Sequence, residues 1–423
     1  MAVVSLDGVF GGDASRAVAT EPAGRWDGRW SPAGRAPTRR VPAARLSGSV
    51  VALFLGFASL VWAVVVASAV WLPADHPSRT ASWAFFPGRP WFGGWVRFDG
   101  GWYRAIATDG YWYRPGHRSA VAFFPSYPLF MRLGNVVTGS VLIAGIAVTV
   151  VSGLLAAVLF VRWATGLVGG RVAWTGVILL LVYPYSLYLY GAVYSDALFL
   201  ATAIAAFFLL ERGHPVLAGF VGVVALAGRP VGVALVLGLI VRAMELRQAA
   251  IADPDHTPAR TAGAGVFISL AGLVGWCGYL WVRFGDPFVF AATEKAWHQE
   301  PGPRTWFKLM FFGDLTRIHT PGRLVIYLAH PIVTVVALAL VPVVWRRLGR
   351  GYGVYTAIVL LIPTISTSNF WSMGRYTLAA FPCFLAGGLL LADRTVLRRT
   401  VMISSSAALC VVAVLYTRGV YVA

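Results

Sequence analysis

The run Arg97-Phe98-Asp99-Gly100-Gly101-Trp102-Tyr103-Arg104, continuing to Asp109-Gly110-Tyr111, sets a carboxylate among aromatic rings and arginines. Ala122-Phe123-Phe124-Pro125-Ser126-Tyr127-Pro128 follows it. Acids are scarce here: Asp75, Asp99 and Asp109 are the only ones between residues 73 and 130. Arg97, beside Asp99, would favour the ionised carboxylate, while burial would oppose it. A carboxylate so placed is suited to take a proton from a sugar hydroxyl. Trp102 and Tyr103 supply flat apolar faces with polar tips, suited to stacking on a sugar ring. The same residues also fit an aromatic belt at a membrane interface, with Asp99 as a helix cap.

Three later positions belong beside this segment. Tyr194-Ser195-Asp196 opens an apolar stretch. Asp196 is either a helix-start acid favoured by the helix dipole or a second carboxylate in the same cavity, since intramembrane acids are costly enough to imply function. Arg229 lies between two apolar pieces, and Arg375, in Ser372-Met373-Gly374-Arg375-Tyr376, opens another. Guanidinium forks match phosphate oxygens; snorkelling to lipid headgroups is the other reading. His298, in Glu294-Lys295-Ala296-Trp297-His298, is the histidine best placed to touch a phosphate, although a lone histidine is more often structural. No P-loop, dinucleotide fingerprint, HExxH or CxxC cluster occurs, which argues against an ATP-driven pump. Cys277, Cys383 and Cys410 lie far apart in apolar stretches, without metal or disulfide spacing.

Long apolar segments must position these residues. A span of roughly 46–71 is long enough to cross a bilayer, which needs about 20 residues. An aromatic-rich outer loop of about 73–135 follows. Further apolar segments lie near 136–161, 172–190, 196–210, 215–227, 231–241, 262–282, 324–345, 354–365, 376–391 and 401–416. Residues 283–323 form a second outer segment rich in Trp, Phe and Pro. The pieces 215–227 and 231–241 are short, either tilted helices or a re-entrant pair. The expectation is an all-α polytopic membrane protein with about 11 transmembrane helices and no transporter-type internal repeat.

Composition agrees. Of 423 residues, 58% are hydrophobic and 12% charged, about half the charged share of a soluble domain; mean hydropathy is +0.71. The net charge of +18 does not imply nucleic-acid binding, because the arginines are dispersed among spans and form no compact basic module. Much of the excess fits inner loops that obey the positive-inside rule. Residues 1–45 carry seven arginines against four acids and no apolar run. They read as a disordered cytoplasmic tail rather than a signal peptide, leaving 46–423 as one membrane-embedded domain.

The blocks RFDGGWYRAIATDGYWY (97–113), AFFPSYPLF (122–130), YPYSLYLYGAVYSDALF (183–199), AGRPVG (227–232) and SMGRYTLAAFP (372–382) occur in one order. In that order the chain resembles the PIG-V type mannosyltransferases, which belong to the GT-C class of multi-span glycosyltransferases. The resemblance covers most of residues 95–390, and the arginine-rich composition suits a bacterial, actinobacterial member. Phe98 stands where the family commonly has Trp, and Asp196 where it commonly has Glu. Bacteria generally lack GPI anchors, so a bacterial member needs a different acceptor.

The resemblance implies a GT-C-like fold with a catalytic first extracytoplasmic loop. It implies inverting transfer of mannose from a polyprenyl-phosphate donor lipid, without a nucleotide-sugar site, cofactor or metal. The catalytic acid maps onto Asp99. Arg97, Trp102, Tyr103, Tyr127, Tyr194, Asp196, Arg229, His298, Arg375 and Tyr376 are the expected substrate-binding residues. The acceptor would be a glycolipid or another membrane-associated molecule, and the location a plasma membrane with the amino terminus inside. A transporter or lipid flippase using the same intramembrane charges is the competing expectation.

Overall fold

The computed structural model describes residues 43–75, 89–252, 262–297 and 302–422, with isolated positions at 86 and 299. Of the expected 1–45 tail, residues 1–42 lie outside the described residues, as does His298. Among the described residues all regular structure is helical.

The elements that frame the site are α1 (Ala43–Trp71), α2 (Asp99–Asp109), α3 (Ser126–Thr138), α4 (Val141–Leu167), α5 (Gly170–Leu181), α6 (Asp196–Glu211), α7 (Pro215–Leu226) and α8 (Val233–Ala252). Then come α9 (Gly263–Phe284), α10 (Pro321–Arg347), α11 (Arg350–Ser366), α12 (Met373–Ala379), α13 (Phe381–Leu391) and α14 (Thr395–Thr417). Each of the eleven expected apolar segments is helical, at least in part. Five described helices, from α1, α4, α9, α10 and α14, are long and apolar enough to cross a bilayer; the bent pair α12–α13 makes a sixth if it is one span. The protein is therefore an all-α, multi-pass membrane protein.

Helix α6 is apolar around its whole circumference between its terminal acids. A helix of that kind belongs in the middle of a bundle. It packs against α4 on one side and α7 on another. Helix α4 also carries α1 and α3, while α8 lies on α11 and α5 on α13. The α7–α9 contact depends on missing side chains. A Cβ on Gly219 would lie 2.0 Å from the Gly265 carbonyl oxygen, and one on Gly222 2.1 Å from Ser269 Oγ. Small residues let membrane helices approach this closely.

Two local features aim the loops. Phe98 takes φ +50°, ψ −112° immediately before α2, a strained backbone for a residue with a Cβ. Its ring is held edge-on against Tyr416 and Tyr421 at 5.8 and 5.1 Å. At the other end of the chain, α12 and α13 meet at 81°. Pro382, in the first turn of α13, lacks the N–H that a continuous helix would use there. The bend turns the start of α12 back onto the head of α6.

Candidate functional site

Four charged side chains from four elements converge at the amino-terminal end of α6. Asp196 heads that helix and is buried. Arg229, in the α7–α8 connection, pairs with Asp196 Oδ1. Arg375 Nη1, from the first turn of α12, lies 2.8 Å from Asp99 Oδ2 and 3.9 Å from Asp196 Oδ2. Asp99 begins α2. The result is an alternating row, Asp99–Arg375–Asp196–Arg229, whose formal charges sum to zero.

That alternation is what makes the row tolerable in an apolar bundle. An isolated buried charge is expensive, and each one here has an opposite neighbour. Aromatic faces add to it. Arg375 lies over Tyr194, Tyr376 and Tyr188 at 4.8, 5.2 and 5.8 Å, and Arg229 over Tyr376 at 5.0 Å. Such cation–π contacts strengthen when they are desolvated. Helix α6 also points its positive end at Asp196. The row is graded in exposure: the Asp99 side chain is 25% exposed, against 2% for Asp196. Asp99 is thus the carboxylate that a reactant can reach.

Arg375 is placed by its neighbour. The Gly374 N–H donates to His330 Nδ1 at 3.2 Å, and the Gly374 carbonyl accepts from the Tyr183 hydroxyl at 2.7 Å. A Cβ on Gly374 would meet Tyr185 ring atoms at 2.2 to 2.5 Å, so only glycine fits between that ring and the helix. His330 and Tyr183 were not foreseen as positioning groups. The available signal was an ionisable residue, His330, inside a long apolar stretch.

Several expected binding residues are used otherwise. Arg97 does not pair with Asp99. Its Nε donates to the Thr417 carbonyl at 3.0 Å, and its Nη1 to the Gly93 and Val96 carbonyls at 2.6 and 2.9 Å. It ties the first loop to the end of α14, and Arg375 supplies the cation beside Asp99 instead. The Trp102 ring stacks with Trp112 and Phe123 at 5.9 and 5.6 Å, so it packs within the loop rather than standing as an open platform. Tyr103 is buried and hydrogen-bonds Ser195 Oγ at 2.9 Å. Burial, then the Asp99 charge, pushes its phenol up, which keeps it protonated. The Tyr127 hydroxyl donates to the Gly145 carbonyl and meets Thr149 Oγ1, both at 2.8 Å, riveting α3 to α4. The Tyr194 hydroxyl accepts the Asp99 backbone N–H at 3.1 Å and, with Tyr376, flanks Arg375. Asp99, Tyr194, Asp196, Arg229, Arg375 and Tyr376 therefore come together; Arg97, Trp102, Tyr103 and Tyr127 surround them as framework.

No known family profile matches the sequence, and no curated protein does. Solved structures are similar in fold. One is ArnT from Cupriavidus metallidurans bound to undecaprenyl phosphate, at 16% identity and TM-score 0.49, covering 88% of this chain and 76% of that one. Another is the oligosaccharyltransferase of Archaeoglobus fulgidus in the apo form, at 12% identity and TM-score 0.44, covering 87% of this chain and 55% of that one. The chain thus spans little more than half the length of the oligosaccharyltransferase.

One more acid lies in the second long loop. Glu294 begins a short 3₁₀ turn there (Glu294–Trp297). It is partly buried, and burial together with the Asp99 charge pushes its carboxyl up to about 7. Among the described residues, no group of three or more His, Cys, Asp or Glu is arranged to hold a metal ion.

Proposed function

We propose that the chain is a PIG-V type glycosyltransferase of the GT-C class, moving mannose from a polyprenyl-phosphate donor lipid to a hydroxyl of a membrane-associated acceptor, with inversion. The observation that carries this reading is the graded charge row, with one reachable carboxylate at its end. Arg375 holds Asp99 Oδ2, and Oδ1 has no hydrogen-bond partner among the described residues. Oδ1 is the oxygen that takes the acceptor proton. The acceptor oxygen then forms its bond to the anomeric carbon as the carbon–phosphate oxygen bond breaks, and that electron pair leaves with the phosphate. A phosphate is already a good leaving group, so the step needs one base rather than the carboxylate pair of a glycosidase.

The arginines act on the leaving side. Arg375 Nε is buried and has no hydrogen-bond partner among the described residues, so it retains a donor for a phosphate oxygen. Arg229 keeps Asp196 neutralised, which frees Arg375 to divide its charge between Asp99 and the developing phosphate. The ordered sequence blocks support the mannosyl donor. The arginine-rich first 45 residues support an inner amino terminus, which puts the site at the extracytoplasmic face of the plasma membrane.

The test uses the purified full-length chain with labelled polyprenyl-phosphate mannose. Release of polyprenyl phosphate is measured for the wild type and for Asp99→Asn. The variant should lose turnover by at least 10³-fold, about 4 kcal/mol of transition-state stabilisation, while its thermal melting is retained. Full turnover in Asp99→Asn would remove Asp99 from the mechanism. Movement of intact donor across the bilayer without release would favour a flippase.

A further inference from the structure

Among the described residues, three that are not glycine take positive φ: Phe98, Lys308 and Ser372. All three adjoin the elements that deliver the Asp99–Arg375 pair. Phe98 precedes Asp99, and Ser372, at φ +69°, ψ −8°, stands three positions before Arg375. Lys308, in the second long loop, donates from Nζ to the Thr364 and Thr367 carbonyls and, at 3.4 Å, to that of Asn369. It fixes the start of the connection between α11 and α12. Residues with a Cβ hold such backbone only where surrounding contacts over-determine it. Contacts at Phe98 and at Ser372 meet in one side chain, Tyr421.

Tyr421 lies beyond α14, and the end of that helix aims it. The Val420 N–H donates to the Leu415 carbonyl at 2.9 Å and the Gly419 N–H to the Tyr416 carbonyl at 3.0 Å, with Gly419 at φ +83°. That is a Schellman turn, whose left-handed position suits glycine. Arg418 anchors it: its Nε donates to the Pro73 carbonyl at 2.8 Å, and its own carbonyl accepts the Asp75 N–H at 2.9 Å. Tyr421 then touches both sides of the site. Its ring meets the Phe98 ring edge-on at 5.1 Å and the Trp371 ring at 5.5 Å. Its hydroxyl hydrogen-bonds Ser372 Oγ at 3.0 Å.

We propose that Tyr421 is a positioning residue for the Asp99–Arg375 pair, a brace between the starts of α2 and α12 that does not depend on charge. This rests on the transferase reading above and adds to it a residue that acts through Phe98 and Ser372 rather than on the substrate. The ion pair cannot hold that register through a turnover by itself. When Asp99 takes the acceptor proton its carboxylate becomes neutral, and Arg375 turns its charge to the departing phosphate. The attraction across the 2.8 Å contact is weakest at that moment. The brace is unaffected, because a phenol titrates only at about 10 and the ring contacts carry no charge. The two groups are therefore still aligned when Asp99 gives its proton up.

The test compares wild type, Tyr421→Phe, Ser372→Ala and the double variant, as full-length chains in nanodiscs. Tyr421→Phe keeps the ring and loses only the hydroxyl. Two quantities are read: kcat and KM for release of polyprenyl phosphate from labelled polyprenyl-phosphate mannose, and amide hydrogen exchange over residues 97–104 and 370–378 in the resting protein. Tyr421→Phe should lower kcat about tenfold or more, since small misplacements of reacting groups are costly, and leave KM for the donor within about twofold. Ser372→Ala should do the same, and the double variant should lose no more than either, because the two hydroxyls make one bond. Exchange should quicken in both segments while thermal melting shifts little. Wild-type kcat in a folded Tyr421→Phe chain, losses that multiply in the double variant, or unchanged exchange overturns the proposal. Exchange needs no turnover, so it separates the two readings. Faster exchange in both segments, with no polyprenyl phosphate released by wild type, sinks the transferase reading and leaves the brace standing. Release by wild type, with identical exchange in all four chains, does the reverse.

Discussion

Gly374→Ala adds a single methyl group at the point that aims Arg375. Its Cβ would lie 2.2, 2.3 and 2.5 Å from three Tyr185 ring carbons, whereas carbon atoms settle at about 3.5–4.0 Å. The helix start or the ring must therefore recede by about 1 Å. Neither moves freely, because Tyr183 and His330 hold the Gly374 peptide at 2.7 and 3.2 Å. The overpacking should cost about 1–3 kcal/mol of stability. It should also lengthen the 2.8 Å contact between Arg375 and Asp99, and a displacement near 1 Å at a reacting group lowers rate by about 10²-fold. Two assays are run side by side, thermal melting of the purified protein and release of polyprenyl phosphate from labelled donor. Tyr185→Leu in the same chain removes the ring and should recover part of both losses. Wild-type melting and turnover in Gly374→Ala alone would refute the clamp.

Two further outcomes follow from the charges. Arg229→Ala leaves Asp196 with only the 3.9 Å contact to Arg375, and should cost about 3 kcal/mol, the low end for breaking a buried pair. Arg229→Met with Asp196→Leu should melt closer to wild type than Arg229→Ala does, and equal melting of the two would deny that they are coupled. Glu294 sets a pH slope: its folded carboxyl is pushed up to about 7 from an ordinary 4.5, so between those values the folded chain holds a proton that the unfolded chain has released. Stability should fall as pH rises through that window. The slope should vanish in Glu294→Gln when denaturation midpoints are compared at pH 5 and pH 8. Asp99 is the charge that acts on Glu294, with Arg118 and Lys295 at the same turn.

Much of the helical plan was legible because hydropathy is a local property of the chain. Residues 141–167 or 395–417 declare a helix by composition and length alone. Asp99 was legible as a candidate for a similar reason, since an acid among aromatics is anomalous within its own twenty residues. The short helices α5, α6 and α7 were legible as apolar segments, although they fall below the usual spanning length; the breaks between them belong to packing rather than pattern. Arg97 misled because adjacency in sequence suggested adjacency in space. Its side chain reaches instead to a carbonyl 320 positions away.

By itself, then, the sequence determined that this is a many-helix membrane protein and which rare charged residues it holds in apolar surroundings. Both follow from the cost of taking polar groups out of water, which acts residue by residue. Tertiary structure alone decided the pairing. Asp99 and Arg375 are 276 positions apart, and their meeting depends on the bend at Ala380, on Gly374 fitting against Tyr185, and on α6 at the centre of the bundle. It likewise decided that Trp102 stacks with Trp112 and Phe123 while Glu294 has no side-chain partner among the described residues. No local pattern encodes which distant side chain fills a given contact, because that depends on how all the helices share one core.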